Sequence, residues 1–230
     1  MKIYRNIFHL TVFSLTICFI VMPRLTSAED LPGHASILRV AHSQTEGTQI
    51  TRNLKTTIDQ VVDILRDENL KKDHDTRRKI LEQTIEKRFN YQQMAIRALA
   101  GNWRKRTPSE QREFTRLFKK LLEKSYAHKI ESFRDGKIDF VGEVVKGKYA
   151  LVKTIIHHQG KTIALDYKLV HENNDWKVYD FVIKGVSMIR NYRTQFTKVI
   201  RKDSFEGLMR KMGNFKMDSD TKENPYEMNL

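Results

Sequence analysis

The hydrophobic period of this chain changes at Asp135-Gly136, and that change limits the folds open to it. Before this turn signal apolar residues recur every three or four positions, and after it every second position. Four strand-like runs follow, at 137–145, 149–157, 162–170 and 176–184. They are joined by Lys146-Gly147-Lys148, Gln159-Gly160-Lys161 and Glu172-Asn173-Asn174-Asp175. Loops this short join neighbouring antiparallel strands, so the runs read as a four-stranded meander. In the third run Ile163, Leu165, Tyr167 and Leu169 share one face, and Thr162, Ala164, Asp166 and Lys168 share the other. The fourth run sets Trp176, Val178 and Val182 on one face against Tyr179, Phe181 and Ile183 on the other. Apolar residues on both faces predict a strand covered on both sides. Gly185 then breaks the strand with a positive φ, and Ser187 caps a helix with Ile189, Tyr192, Phe196, Val199 and Ile200 on one stripe.

The first half is helical. Over 49–69 Leu54, Ile58, Val61 and Leu65 fall at helical spacing, flanked by Ile50 and Val62, until the charged patch at 71–75 breaks the pattern. A second helix to about residue 88 turns Ile80, Leu81, Thr84 and Ile85 inward. Phe89-Asn90-Tyr91 makes a corner, and a third helix carries Met94, Ala95, Ala98 and Leu99 before Gly101. Thr107-Pro108-Ser109-Glu110 is a capping box with proline at the first helical position. The helix it opens holds Phe114, Leu117, Phe118, Leu121, Leu122, Tyr126, Ile130 and Phe133 on one face. Near the end Ser204 caps a short helix with Phe205, Leu208, Met209 and Met212 inside, and Gly213 closes it. Helices over about 49–134, a sheet over about 137–184 and helices again over about 187–212 make one α+β domain at 49–213. A curved sheet over amphipathic helices leaves room for a cavity, because the two curvatures need not match.

Lys2 and Arg5 precede an apolar run of about 15 residues, short of the roughly 20 that span a bilayer. Thr26 and Ala28 then supply a small-x-small cleavage signal, so 1–28 reads as a signal peptide cut after Ala28; the rival is an uncleaved anchor. The lone Cys18 lies inside this segment, so the mature chain must fold without disulfides. Residues 29–48 read as a flexible lead-in and 214–230 as a polar, disordered tail. The net charge is +14, from 42 Lys plus Arg against 28 Asp plus Glu, and losing Lys2, Arg5 and Arg24 leaves +11. So basic a chain suits anionic headgroups or an acidic protein face, and export argues against nucleic acid.

Residue types for catalysis are sparse. The mature chain has no cysteine nucleophile, Gly-rich phosphate loop or Gly-x-Ser-x-Gly elbow. Asp166 and Asp180 lie on strands, and with Tyr167 they are the candidates for proton transfer, unless they face solvent or pair with lysine or arginine. His157 and His158 are adjacent on a strand and point to opposite faces. His34, His42, His74, His128 and His171 lack ligand spacing, so no metal site is expected. The core helices, the sheet and the C-terminal helix offer much apolar area for one modest domain, which suits either a lined pocket or a large solid core.

Three groups of residues are familiar together. The first is Met94-Ala95, Ala98-Leu99, Trp103-Arg104, Thr107-Pro108-Ser109-Glu110-Gln111, Phe114 and Phe118. The second is Leu121-Leu122 with Ser125-Tyr126-Ala127. The third and most specific is Tyr167-Lys168-Leu169, Trp176-Lys177-Val178-Tyr179-Asp180, Gly185-Val186-Ser187, Asn191-Tyr192-Arg193 and Gln195-Phe196. In order and spacing, from about residue 50 to 212, the chain resembles the MlaC-type periplasmic phospholipid-binding proteins, the toluene-tolerance auxiliary family of a lipid ABC transport system. Two positions depart from that pattern: Ala100 stands where the family usually has glycine, and Phe89-Asn90-Tyr91 where an aspartate often sits.

The resemblance implies an NTF2-like scaffold and a periplasmic shuttle that maintains outer-membrane lipid asymmetry. It implies no cofactor, with phospholipid as cargo held by its acyl chains. It implies two partners, the substrate-binding subunit of an inner-membrane ABC transporter and an outer-membrane lipoprotein–porin complex. The expected pocket draws on Leu117, Leu121, Tyr126, Val152, Ile163, Leu165, Tyr167, Val178, Phe181 and Val186. The alternatives are a small periplasmic enzyme using Asp166 or Asp180 with Tyr167, and an adaptor whose groove binds an apolar peptide.

Overall fold

A computed structural model describes residues 48–215. The expected signal peptide, most of the lead-in and nearly all of the tail lie outside these residues. In chain order the elements are α1 (Gln49–Arg66), α2 (Glu68–Lys72), α3 (His74–Glu86), α4 (Tyr91–Leu99), α5 (Pro108–Glu131), β1 (Lys137–Lys146), β2 (Tyr149–His158), β3 (Lys161–Glu172), β4 (Asp175–Ile183), β5 (Val186–Ser187), α6 (Met188–Lys202) and α7 (Phe205–Gly213). Short 3-10 turns follow α4 and α5. No helix among the described residues is long and apolar enough to cross a membrane.

Each helix starts where a side chain satisfies its free N–H groups. Thr107 and Glu110 complete the expected capping box of α5, with Pro108 at its first position. The helix expected over 49–69 ends at Arg66, where Asp67 accepts from Asn69 and Leu70 N–H to start α2, and within the charged patch Asp73 accepts from Thr76 N–H to start α3. The N-terminus of α1 is tied to the sheet, because the Glu143 carboxylate accepts from Thr51 N–H at 3.2 Å and from the hydroxyls of Thr48 and Thr51.

The sheet is antiparallel in the order β1-β2-β3-β4-β5. It has five strands where the sequence suggests four. Lys184 and Gly185 both take positive φ, at 49° and 82°, and fold Val186 back onto Ile183 as a tight hairpin. The polypeptide thus pairs once more before Ser187 caps α6 by accepting from Arg190 N–H. At this junction the buried Asp180 carboxylate accepts from Ile189 N–H at 3.1 Å, from the Ser187 hydroxyl at 2.7 Å and from Lys168 Nζ at 3.1 Å. Those bonds fix the angle at which α6 leaves the sheet.

Strand β4 also contains a bulge. Leu169 pairs with Val178 and Lys168 with Asp180, so Tyr179 is the extra residue. Beside the bulge the Phe89-Asn90 corner docks on the strand: Asn90 N–H donates to Val178 O and Val178 N–H to Arg88 O. The core has an aromatic half, in which Phe118 meets both Tyr192 and Phe196 edge-on and Phe114 meets Phe196 the same way. Its other half lies against the sheet, where Leu117 and Leu121 join Val152, Leu169 and Val178 in one cluster.

Two backbone positions make opposite predictions. A Cβ at Gly185 would meet no heavy atom within 4 Å, so Gly185→Val should lower stability by about 1–3 kcal/mol chiefly through its positive φ. Ala100, at φ 49° and ψ −123°, occupies the same disfavoured half of the map, so Ala100→Gly should raise stability by about 1 kcal/mol. Denaturant unfolding of both variants measures this.

On the flank of α5 burial pushes the Glu123 carboxyl up from 4.5 to about 7, helped by Glu82 and Glu86 and opposed by Lys119. The folded state therefore binds this proton more tightly than the unfolded chain, and its contribution to stability falls as pH rises from about 4.5 to about 7. Glu123→Gln should raise the denaturant midpoint clearly at pH 8 and barely at pH 4.5; equal gains at both would show that the charge is not what costs stability.

Candidate functional site

The inner face of the sheet is a ladder of apolar rungs. Val152 pairs with Tyr167 and Tyr167 with Phe181; Thr154 pairs with Leu165 and Leu165 with Ile183; Ile156 pairs with Ile163. The polar member, Thr154, is satisfied within the ladder by donating its hydroxyl to Leu165 O. Burial is graded along these rungs. Val152, Leu169 and Val178 have no exposed surface and Tyr167 only 8%, whereas Leu165, Ile163, Ile156, Phe181 and Ile183 are half-buried.

Helix α5 shows the same gradient. On α5, Leu117 and Leu121 are buried, and Tyr126 and Ile130 beyond them are half-buried, as is Phe133 in the 3-10 turn that follows. On α1, Leu54 and Leu65 are buried, and Ile58, Val61 and Val62 between them are half-buried, so α1 covers the interface without a gradient. Phe133 lies against His158 at the end of β2, which sets the 3-10 turn after α5 beside the β2–β3 turn. Sheet and helices thus form a wedge, packed shut at one end and loosening toward that turn.

Nine of the ten expected pocket residues come to this wedge. Val152, Ile163, Leu165, Tyr167, Val178 and Phe181 line its sheet side, and Leu117, Leu121 and Tyr126 its helix side. Tyr126 meets the Phe181 ring edge-on at 5.1 Å and donates its hydroxyl to Met188 Sδ. Val178 and Phe181 alternate to opposite faces on paper, and the Tyr179 bulge brings them to the same one. Val186 does not belong: β5 carries it outward, 47% exposed, because the hairpin turns the chain away from the wedge. Sequence periodicity pointed to Ile130 and Phe133 as inward-facing without marking them as pocket residues, and Ile156 and Ile183 are added by register alone.

The expected lipid-sized cavity is also corrected. Side chains fill the space between the layers, with Phe114, Phe118, Leu121, Leu169, Tyr192 and Phe196 all nearly without exposure. Among the described residues the surface depressions include two of note. One, of about 320 Å³, lies between α5 and α7, and the other, of about 380 Å³, lies at the β2–β3 turn. Neither is lined by any of the ten residues.

The residues singled out for proton transfer do not converge. Tyr167 faces the wedge, and burial pushes its phenol above the usual range, away from a useful acid or base at neutral pH. Asp166 lies on the outer face, opposite Lys153 and Val182. Asp180 pairs with Lys168, as one of the sequence alternatives had it, and is also engaged by Ile189 N–H and the Ser187 hydroxyl at the start of α6. No cluster of three or more His, Cys, Asp or Glu with metal-binding geometry occurs among the described residues.

The likeness to known proteins covers the elements that build the wedge. A solved structure of a phospholipid-binding protein from Ralstonia solanacearum, in complex with a phospholipid, superposes with a TM-score of 0.66 at 26% identity, over 71% of this chain and 94% of that one. The intermembrane phospholipid transport system binding protein MlaC of Haemophilus influenzae is 30% identical over 119 residues, 49% of this chain and 56% of its own length. The chain thus spans little more than half of that curated relative. The family model described as MlaC protein matches residues 55–214, from within α1 to the end of α7. That span takes in the capped α5, all five strands and the Asp180 junction, and by it the chain belongs to the MlaC protein family.

Proposed function

We propose that this protein carries glycerophospholipid between the inner and outer membranes and so maintains the lipid asymmetry of the outer membrane. The observation that carries the reading is the graded wedge: an apolar interface continuous from a packed core to a half-exposed mouth. The acyl chains enter between the sheet and α1 and α5 at the half-buried end, where Tyr126, Ile163, Leu165 and Phe181 contact them, and they reach Leu117, Leu121, Val152, Tyr167 and Val178 only if the packed layers part. Exposing one chain of about 16 carbons to water costs roughly 13 kcal/mol at ~0.8 kcal/mol per methylene. An apolar protein interior removes that cost, and passage between two apolar environments is close to neutral. The carrier then needs no energy source of its own, and its partners bias the direction.

On the same reading the scaffold is NTF2-like, residues 1–28 direct export to the periplasm, and the bound lipid is cargo for a chain that needs no cofactor and catalyses no reaction. The partners are the substrate-binding subunit of an inner-membrane ABC transporter and an outer-membrane lipoprotein–porin complex. Charge supports docking of this kind: α6 exposes Arg190, Arg193, Lys198, Arg201 and Lys202 and contains no acidic residue.

Two measurements test the reading. Protein purified without detergent, denatured and extracted with solvent, should release stoichiometric phospholipid by mass spectrometry; repeated empty extracts would sink the carrier. Leu165→Glu should cut the recovered lipid at least tenfold, because a charge on the wedge wall must be desolvated. Val186→Ser, outside the wedge, should leave the yield within about twofold of the parent and stability within about 0.5 kcal/mol.

A further inference from the structure

The loose end of the wedge holds a histidine without a bonding partner. His158 is the last inward residue of β2 and pairs with Lys161 across the turn, one rung beyond Ile156 and Ile163. The centroid of the Phe133 ring lies 5.7 Å from that of its imidazole. Both Nδ1 and Nε2 are shielded from solvent, and neither has a hydrogen-bond partner among the described residues. Such a group bears the full desolvation cost of two polar atoms, which native structures rarely leave without a reason.

The same corner forms the depression of about 380 Å³, with Asp135, Lys137, His157, His158 and Lys161 among its walls. Its charges are unequally engaged. On the outer face Asp139 takes Lys137 at 2.8 Å and His157 at 3.0 Å. Lys161 makes no ion pair with the described residues, and Asp135 is the one acid on the rim. An unengaged cation and an unbonded imidazole thus face each other at the point where the apolar rungs end.

We propose that His158 and Lys161 receive the phosphodiester of a bound lipid, with the acyl chains running inward past Ile156 and Ile163. This rests on the carrier reading and adds to it the place and chemistry of the headgroup. Phosphate oxygens accept from the Lys161 ammonium and from an imidazole N–H, which His158 offers in either neutral tautomer or as the cation. The Asp135 carboxylate repels a second negative charge, so the site suits a singly charged diester better than the dianion of inorganic phosphate. An anionic contact outside an apolar mouth is the arrangement that an amphiphile requires.

The test uses the full chain, loaded from vesicles of phosphatidylethanolamine and phosphatidylglycerol, and separately with diacylglycerol of the same chain length. His158→Phe and Lys161→Met should release phospholipid about tenfold faster than the parent, the size of a lost charge-assisted hydrogen bond. Both should hold diacylglycerol as long as the parent does. His158→Phe should also melt no lower than the parent, because it removes a shielded polar group. Equal phospholipid residence in the parent and both variants overturns the headgroup site and leaves the carrier intact. A parent protein that takes up neither lipid overturns the carrier and the headgroup site with it. Inorganic phosphate followed by phosphorus NMR supplies the last arm. Binding to the parent and not to His158→Phe, with equal phospholipid residence in both, would assign the pair to free phosphate and overturn the lipid site.

Discussion

One extra residue in β4 decides which side chains meet inside this molecule. With Tyr179 bulged out, Val178 stays opposite Leu169 while Phe181 falls opposite Tyr167, and both point to the helices. Without it the strand would alternate regularly and turn one of the two outward. The bulge also sends Tyr179 and Asp180 to the outer side together. Tyr179 stacks there under the Arg97 guanidinium, 4.1 Å from the ring centroid, and Asp180 caps α6. The Phe89-Asn90 corner uses the backbone of Val178 beside it. Sheet face, helix angle and corner therefore depend on a single irregularity.

The wedge follows from that arrangement. At its closed end Leu117, Leu121, Val152, Leu169 and Val178 share one cluster and supply the apolar burial that a domain without disulfides must rely on. At its open end the same strands and helices continue with apolar residues that the layers no longer cover fully. Full burial and partial exposure are thus separated along a single interface.

Much of the fold was legible because it depends on local patterns. The capping box of α5, the Ser187 and Ser204 caps and the three short strand connections are each read from a few neighbouring residues. The candidate site was legible in part. Alternation within β3 correctly grouped Ile163, Leu165 and Tyr167, since regular pairing preserves it. It misplaced the relation of Val178 to Phe181, because a bulge is set by what both strands pack against. Val186 failed for a related reason: a two-residue hairpin at Lys184-Gly185 reads locally like a simple break. For Asp180 the sequence left open a pocket, solvent or a pair with lysine or arginine; the Lys168 pair answers to the last, and the donors at Ile189 and Ser187 become visible only when the chain has folded back.

By itself the sequence determined the α+β order, the helix caps, the antiparallel meander and the identity of most wedge residues, because periodicity and turn chemistry act over a few positions. The tertiary structure alone decided the fifth strand, the common face of Val178 and Phe181, the burial of Asp180 and the filling of the space between the layers. It alone set His158 opposite Lys161 at the end of the apolar rungs, because such meetings depend on register between segments and on how side-chain volumes fit between layers.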